Sequence, residues 1–242
     1  IGRKSYLAKL VSAEKIEKAS ALQYESMTRQ AFQKRVLAEE GDPQLARLNR
    51  IFKDLEPHTL KFNERAKDWR WEVSLIKSPQ INAFCMPGGK IAFFTGILEK
   101  LALTDDEVAM IMGHEMGHAL WEHARERTAK TNLTNVGGRL VGMLLFGQAG
   151  EVIGAAGASL AALKFSRTDE TEADLIGLEL AARAGYDPRA GITLWQKMTA
   201  AAKAAPPQWL STHPSGSTRI ETIEKNLPDV LPLYERARAK RG

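Results

Sequence analysis

The chain has 242 residues, 44% hydrophobic and 26% charged, with 34 Lys and Arg against 29 Asp and Glu for a net charge of +5. That is enough apolar chain for one real core, alone or with a helical extension; the basic excess is thinly spread, densest at Arg236, Arg238, Lys240 and Arg241, and comes without a recognisable nucleic-acid module, so no nucleic-acid partner is expected. The single cysteine, Cys85, excludes an intramolecular disulfide and cysteine-rich metal or iron–sulfur schemes, so any metal must be held by His and carboxylate groups.

In chain order, residues 5–40 carry apolar positions at helical spacing until Gly41-Asp42-Pro43 breaks the pattern. Asp42 can cap a new helix with Pro43 at its first position, running through Leu55. Trp69, Trp71, Val73 and Leu75 then alternate with polar residues, as a half-buried strand requires. A second apolar run, Ile81 to Met86, meets Pro87-Gly88-Gly89, which suits a tight turn, and a third strand follows over Ile91 to Thr95. On these residues alone Asn82, Ala83 and Phe84 belong to a plain hairpin, and the aromatic pairs Trp69/Trp71 and Phe93/Phe94 read as core.

Thr104 with Glu107 forms a capping-box pattern, so a helix is expected from there past His118 to about Arg127. Leu133 to Leu163 is apolar but interrupted by Arg139, Gln148 and Glu151 and laced with glycine. No uncharged run reaches the ~20 residues a spanning helix needs, and the stretch is read as a helical insert. Ser166 with Asp169 starts another helix, Gly185 ends it, Asp187-Pro188 opens the next and Pro206-Pro207 stops that one. A loop with Trp209 and His213 leads to a last helix near Ser217 to Asn226 and a Pro-interrupted basic tail. The expected organisation is a helical extension over residues 1–60 and one unit over 61–242. The chain begins at Ile1 without a basic-then-apolar leader, read as a targeting segment removed or trimmed away.

The chemistry concentrates in His114-Glu115-Met116-Gly117-His118. Residues four apart on a helix lie about 40° apart around its axis, so both imidazoles project from one face and can reach one cation; imidazoles at this spacing suit zinc. Glu115 falls beside the metal without being a ligand, the place for a general base. Glu170, with Asp174 one turn on, shares a helix face with the small residues Ala173, Gly177 and Ala181, which let that helix approach another closely. Glu170 can then be the third ligand, and Asp174 can accept the free N–H of a liganding imidazole, His114 by preference. Glu172 points elsewhere on this reading. His123, about 140° round a continuous helix from His118, is expected to be structural or solvent-facing, and His58 to lie in a loop without a role.

The HExxH helix, Ser-Arg-x-x-Glu-x-Glu-Ala-Asp-x-x-Gly at 166–177, Ala-Gly-Tyr-Asp-Pro at 184–188 and Ser-Thr-His-Pro at 211–214 resemble metallopeptidase family forty-eight. The family's branches include the CAAX prenyl endopeptidases, the HtpX and Oma proteases and the periplasmic LoiP and BepA proteins. The resemblance spans roughly residues 70–226. It implies an α+β, predominantly helical, gluzincin-like fold with a small sheet beside the HExxH helix, and one zinc held by His114, His118 and Glu170. It also implies Glu115 as base, Asp174 as supporting carboxylate, and endopeptidase hydrolysis of unfolded or misfolded polypeptides. The missing membrane spans point to the soluble or lipid-anchored periplasmic branch, with membrane or outer-membrane assembly partners in view. By the same resemblance His213 reaches over the zinc, either donating to the oxyanion or filling the open metal position. Arg219 assists the oxyanion or holds a carboxylate, and Asn82, Ala83 and Phe84 line the cleft where an extended substrate adds as a strand. The rival reading is a zinc-holding chaperone or assembly factor latched by His213 and the 133–163 insert.

Overall fold

Short polar side chains set where the main helices begin. The Asp42 carboxylate accepts from the backbone N–H of Gln44 and Leu45, with Pro43 at the first helical position, and starts α2 (Pro43–Leu55). Thr104 and Glu107 close a reciprocal capping box at the head of α4 (Asp105–Leu120), and Ser166 and Asp169 do the same for α6 (Arg167–Arg183), as the sequence patterns predict. The structure, a computed structural model, describes residues 6–133, 164–204, 207–214 and 218–240. The expected insert lies, beyond residue 133, outside them.

Ahead of α2 stands α1 (Ala13–Gln33), and a three-stranded sheet follows, β1 (Glu72–Ile76), β2 (Ala83–Met86) and β3 (Lys90–Phe94). Strand order is β1-β3-β2, with β1 parallel and β2 antiparallel to β3. Pro87 and Gly88 are the central residues of the β2–β3 turn, closed by Gly89 N–H to the Met86 carbonyl at 3.2 Å. Gly88, at φ 81°, takes the left-handed position that a type II turn demands. The short α3 (Thr95–Lys100) leads to α4.

The period-2 alternation of the strands sorts their side chains to two faces. Leu75, Ile91 and Phe93 join the main core with Leu48, Ile51, Phe52 and Leu55 of α2 and the apolar residues of α4. Trp69 is in that core and Trp71 packs against it. On the opposite face Phe84, Met86 and Ala92 cluster with Tyr24 of α1, whose hydroxyl donates to the Ile91 carbonyl at 2.6 Å. The sheet is thus clamped between α1 and the α2–α4 layer, predominantly helical protein around a small sheet beside the HExxH helix, as expected.

Past the core, α6 lies along α4, and α7 (Ala190–Ala204), the short α8 (Gln208–Thr212) and α9 (Thr218–Ala239) complete the helical layer. Gly177 sits where α6 crosses α4: a Cβ there would stand 2.6 Å from the backbone nitrogen of His114. Gly185, at φ 80°, ends α6.

Three expectations are corrected. The HExxH helix does not run to Arg127: it stops at Leu120, Glu122 adopts φ 64°, and α5 (His123–Leu133) starts in a new direction. The last helix does not stop near Asn226 but continues through Pro228 and Pro232 to Ala239, because Val230 and Tyr234 are buried and Leu227 and Leu231 pack on the core; that burial outweighs the two lost N–H donors. His58 sits half-buried in the 3-10 turn Glu56–Lys61 rather than in a loop.

Candidate metal centre

His114, Glu115 and His118 are fixed by the capped start of α4, Glu170 and Asp174 by that of α6, and the close crossing of the two helices brings all five side chains into one buried spot. His213 follows α8, its N–H bonded to the Trp209 carbonyl at 3.0 Å. The 207–214 segment is tied to the start of α6 by Phe165 N–H to the Thr212 carbonyl at 3.1 Å.

His114, His118, Glu170 and His213 each bring a ligand atom within 4.8 Å of the others. The two Nε2 atoms of His114 and His118 are 3.1 Å apart. Glu170 carboxylate oxygens stand 3.6 Å from His114 Nε2 and 3.4 Å from His118 Nε2. His213 Nδ1 is 3.2 Å from His114 Nε2 and 3.1 Å from Glu170. A tetrahedral cation with bonds of about 2.0–2.1 Å needs its donors about 3.3 Å apart. The observed spacings therefore fit one such cation, with His213 at the fourth corner.

At His118 and Glu170 the electrostatics agree with that fit. Burial pushes the His118 imidazole well below its ordinary range and keeps it neutral, the form that binds a metal. Burial opposes ionisation of Glu170, but the charge of His213 and the hydrogen bond from His118 outweigh it and hold the carboxyl low. For His213 burial also works against the charged form, and the Glu115 and Glu170 carboxylates more than reverse it, leaving the ring raised.

The carboxylates are held in turn. His114 Nδ1 is 2.9 Å from Asp174 Oδ1, the contact anticipated for Asp174. Arg219 donates to both: Nη1 to Glu170 at 2.6 Å, Nη2 to Asp174 Oδ1 at 2.6 Å and Nε to Asp174 Oδ2. Burial would raise the Asp174 carboxyl, and the Arg219 charge brings it below its ordinary range. The guanidinium lies 4.1 Å from the Trp195 ring centroid and also donates to the Pro214 carbonyl at 3.3 Å. Its contacts are those of a carboxylate holder.

Glu115 Oε1 accepts from Trp209 Nε1 at 2.6 Å and is 3.5 Å from His213 Nε2. Trp209 also stacks on the His213 ring, centroids 4.7 Å apart at 20°. Phe165 stacks on His118 at 3.8 Å and 22°. Neither aromatic was singled out for the site by sequence; a Trp four residues before His213 was the available signal for one, and Phe165 next to the Ser166 cap gave none.

His123 takes the structural of its two expected places, buried with Nδ1 2.9 Å from His118 Nδ1, and one more expectation changes: Glu172, set aside as pointing elsewhere, meets His123 Nε2 at 3.2 Å. The 140° argument assumed one continuous helix, and the turn at Glu122 interrupts it and brings His123 against His118 instead. Asn82, Ala83 and Phe84 are not among the cation donors: Ala83 and Phe84 begin edge strand β2, which lies against α4, the Asn82 carbonyl accepts from Phe94 N–H at 3.1 Å, and the Ile81 carbonyl accepts from Trp209 N–H at 3.0 Å.

The sequence profile of peptidase family M48 matches residues 44–227. The chain is 38% identical over 174 residues to the mitochondrial metalloendopeptidase OMA1 of Arabidopsis thaliana, covering 71% of this chain and 35% of that protein. With OMA1 of Schizosaccharomyces pombe it shares 35% over 234 residues, 86% of this chain and 63% of the relative. With the beta-barrel assembly-enhancing protease of Yersinia pestis it shares 29% over 171 residues, 65% and 35% respectively. The chain thus spans between about a third and just under two thirds of the length of these relatives. With a family match across most of its length and the buried HExxH and Glu170 donors where two packed helices meet, the chain belongs to peptidase family M48.

Proposed function

We propose that this chain is a zinc-dependent metalloendopeptidase that hydrolyses peptide bonds of unfolded or misfolded polypeptides. The observation that carries the reading is the buried donor set of His114, His118, Glu170 and His213 with Glu115 beside it. One zinc per chain would be held by His114, His118 and Glu170, where it would supply a Lewis acid that acidifies water and polarises the scissile carbonyl. Glu115, held by Trp209, takes the proton of the attacking water and passes it to the leaving amine. His213, whose Nε2 is 3.5 Å from Glu115, donates to the carbonyl oxygen as it gains charge. Arg219 and Asp174 keep Glu170 and His114 in place.

An extended substrate is proposed to add along the outer edge of β2 at Asn82, Ala83 and Phe84, since β2 ends the three-stranded sheet. Residues 61–242 are proposed as the peptidase unit and the first 60 as an extension, whose α2 shares the main core. A role in envelope protein quality control, in the bacterial periplasm at a membrane, is proposed from the motif resemblance. Among the described residues no helix is long and apolar enough to cross a membrane.

The test is zinc content together with cleavage of unfolded casein, wild type against Glu115→Gln. One zinc in both and cleavage only in wild type is the expected result; no zinc in wild type overturns the reading.

A second reading, a latched zinc-binding chaperone or assembly factor for membrane proteins, is favoured by one observation: His213 Nδ1 stands at the fourth corner of the donor set. The relative named a beta-barrel assembly-enhancing protease is consistent with such a partner. His213→Ala separates the two. Raised cleavage identifies a latch, lowered cleavage an oxyanion donor, and full activity with unchanged zinc affinity removes both roles.

A further inference from the structure

The two helical imidazoles are supported differently. His114 leans on a carboxylate that Arg219 secures, as described above, whereas His118 has a histidine at its back. His118 Nδ1 is 2.9 Å from His123 Nδ1, and His123 Nε2 is 3.2 Å from Glu172 Oε2. His123 is fully buried, while the Glu172 side chain is 16% exposed, so the chain of three runs from the donor set to the solvent edge of α6.

This arrangement fixes every hydrogen once His118 uses Nε2 toward the other donors, an orientation its 3.1 Å approach to His114 Nε2 already shows. The ring proton of His118 must then sit on Nδ1 and be donated to His123 Nδ1. His123 is left protonated on Nε2 and donates to Glu172. Each step has one donor and one acceptor, and the anionic end at Glu172 polarises both rings toward the metal side. Phe165, stacked on His118, removes the remaining freedom of tilt.

Resting on the metal reading above, we propose that His123 and Glu172 are positioning residues: they fix the tautomer and ring plane of His118 and so set the strength of its metal bond. The fold makes a specific provision for this. Glu122 at φ 64° breaks the helix and turns α5 so that His123 comes back over His118; non-glycine residues seldom adopt that conformation. The Glu122 side chain is engaged by Arg125 Nη1 at 2.7 Å, and Arg125 Nε ties the turn to the Val11 carbonyl at 2.5 Å.

His123, Asp169 and Glu172 also form a group of metal-ligand types, but Asp169 already accepts the Ser166 backbone N–H at 2.8 Å as a helix cap. The lone pair of His123 Nδ1 is taken by His118. The geometry points to support of one cation rather than to a second site.

The experiment compares wild type, His123→Leu, His123→Asn, Glu172→Ala and Glu172→Gln. It measures zinc affinity by chelator competition, zinc per chain, the visible spectrum of the cobalt-substituted protein and the melting temperature of the metal-free form. His123→Leu is expected to bind zinc about 10–100-fold more weakly, and His123→Asn, which restores an acceptor near the Nδ1 position, to recover most of that loss. Glu172→Ala is expected to lose affinity several-fold with an unchanged metal-free melting temperature, and to shift the cobalt spectrum. Glu172 is near the surface, so its variants decide the matter if the His123 variants do not fold. Zinc affinities and cobalt spectra equal to wild type in both Glu172 variants overturn the proposal, as do two zinc ions per wild-type chain with the second lost in Glu172→Ala. A wild type that binds no zinc overturns the metal reading and this one with it; a wild type that binds zinc beside indifferent variants overturns this one alone.

Discussion

Adding one methyl group at Gly177 tests how the metal donors are held. The Cβ of Gly177→Ala would lie 2.6 Å from the His114 nitrogen, 2.9 Å from the Gly113 carbonyl carbon and 3.0 Å from the His114 Cα, all backbone atoms that cannot rotate away. Ordinary contact begins near 3.4 Å, so the two helices must part by about 0.8 Å at the residue that carries the first imidazole. Overpacking of this kind costs about 1–3 kcal/mol, and the better helix propensity of Ala returns about 1 kcal/mol, so the net destabilisation runs from near zero to about 2 kcal/mol. The larger effect falls on the site, where supporting geometry tolerates only about 0.5 Å; a displacement near 1 Å is expected to lower kcat/KM on unfolded casein by about 10²-fold and to weaken zinc binding. Gly113→Ala and Gly117→Ala, each with a nearest contact of 3.0 Å, should show the same effects in milder form, and Gly41→Ala, with nothing within 4 Å, should show none. Activity, zinc affinity by chelator competition and thermal melting read all four. A Gly177→Ala protein that melts higher than wild type with unchanged zinc affinity and turnover would refute the claim that this helix crossing positions His114.

Three further outcomes are expected. Ala102, exposed at φ 43°, occupies the left-handed position after α3 in a Schellman arrangement, with Leu103 N–H on the Leu98 carbonyl at 3.1 Å and Ala102 N–H on Glu99 at 3.2 Å; Ala102→Gly should stabilise by about 1 kcal/mol, raising the melting temperature by about 2–4 °C, and an unchanged or lower value counts against it. Arg219→Ala strands the buried Asp174 and Glu170 carboxylates and should cost about 3–5 kcal/mol in urea unfolding of the metal-free protein, with Arg219→Lys recovering little because an ammonium cannot span both carboxylates; full recovery by Lys would show that charge alone is required. The Asp105 carboxyl is pushed up by burial but brought below its ordinary range by hydrogen bonds from Arg50 and Arg47, so the stability it contributes is present above its unfolded pKa of about 4 and is lost as pH falls through the folded value. The gap in urea midpoint between wild type and Asp105→Asn should therefore narrow below about pH 4, and a gap independent of pH would exclude the carboxylate pairing as its cause.

What could be read ahead of the structure was whatever depends on local spacing. The caps at Asp42, Thr104 and Ser166 are closed by partners two or three residues away. The common face of His114 and His118, and that of Glu170 and Asp174, follows from the helical repeat alone. Strand limits were less legible: Trp69 and Trp71 continue the alternation of β1 yet precede its first paired residue, Glu72, because their packing against Phe52 and each other needs no ladder hydrogen bond.

The harder failures share one cause, a local rule overridden by a distant contact. Pro228 and Pro232 look like helix breakers, but Val230 and Tyr234 between and after them are buried, and the apolar spacing from Ile223 onward keeps the helical period that the prolines obscure. The contact of His123 with His118 was missed because the break at Glu122 carries no glycine to announce it; Arg125, reaching across to the Val11 carbonyl, is one of the contacts that hold the turn. Had a glycine stood at 122, the helix end would have been legible and the angle from His118 to His123 would never have been extrapolated through it. The residue that most changes the account of the site was thus hidden by a non-glycine in a left-handed turn, a conformation that tertiary contacts can hold but that sequence spacing cannot reveal.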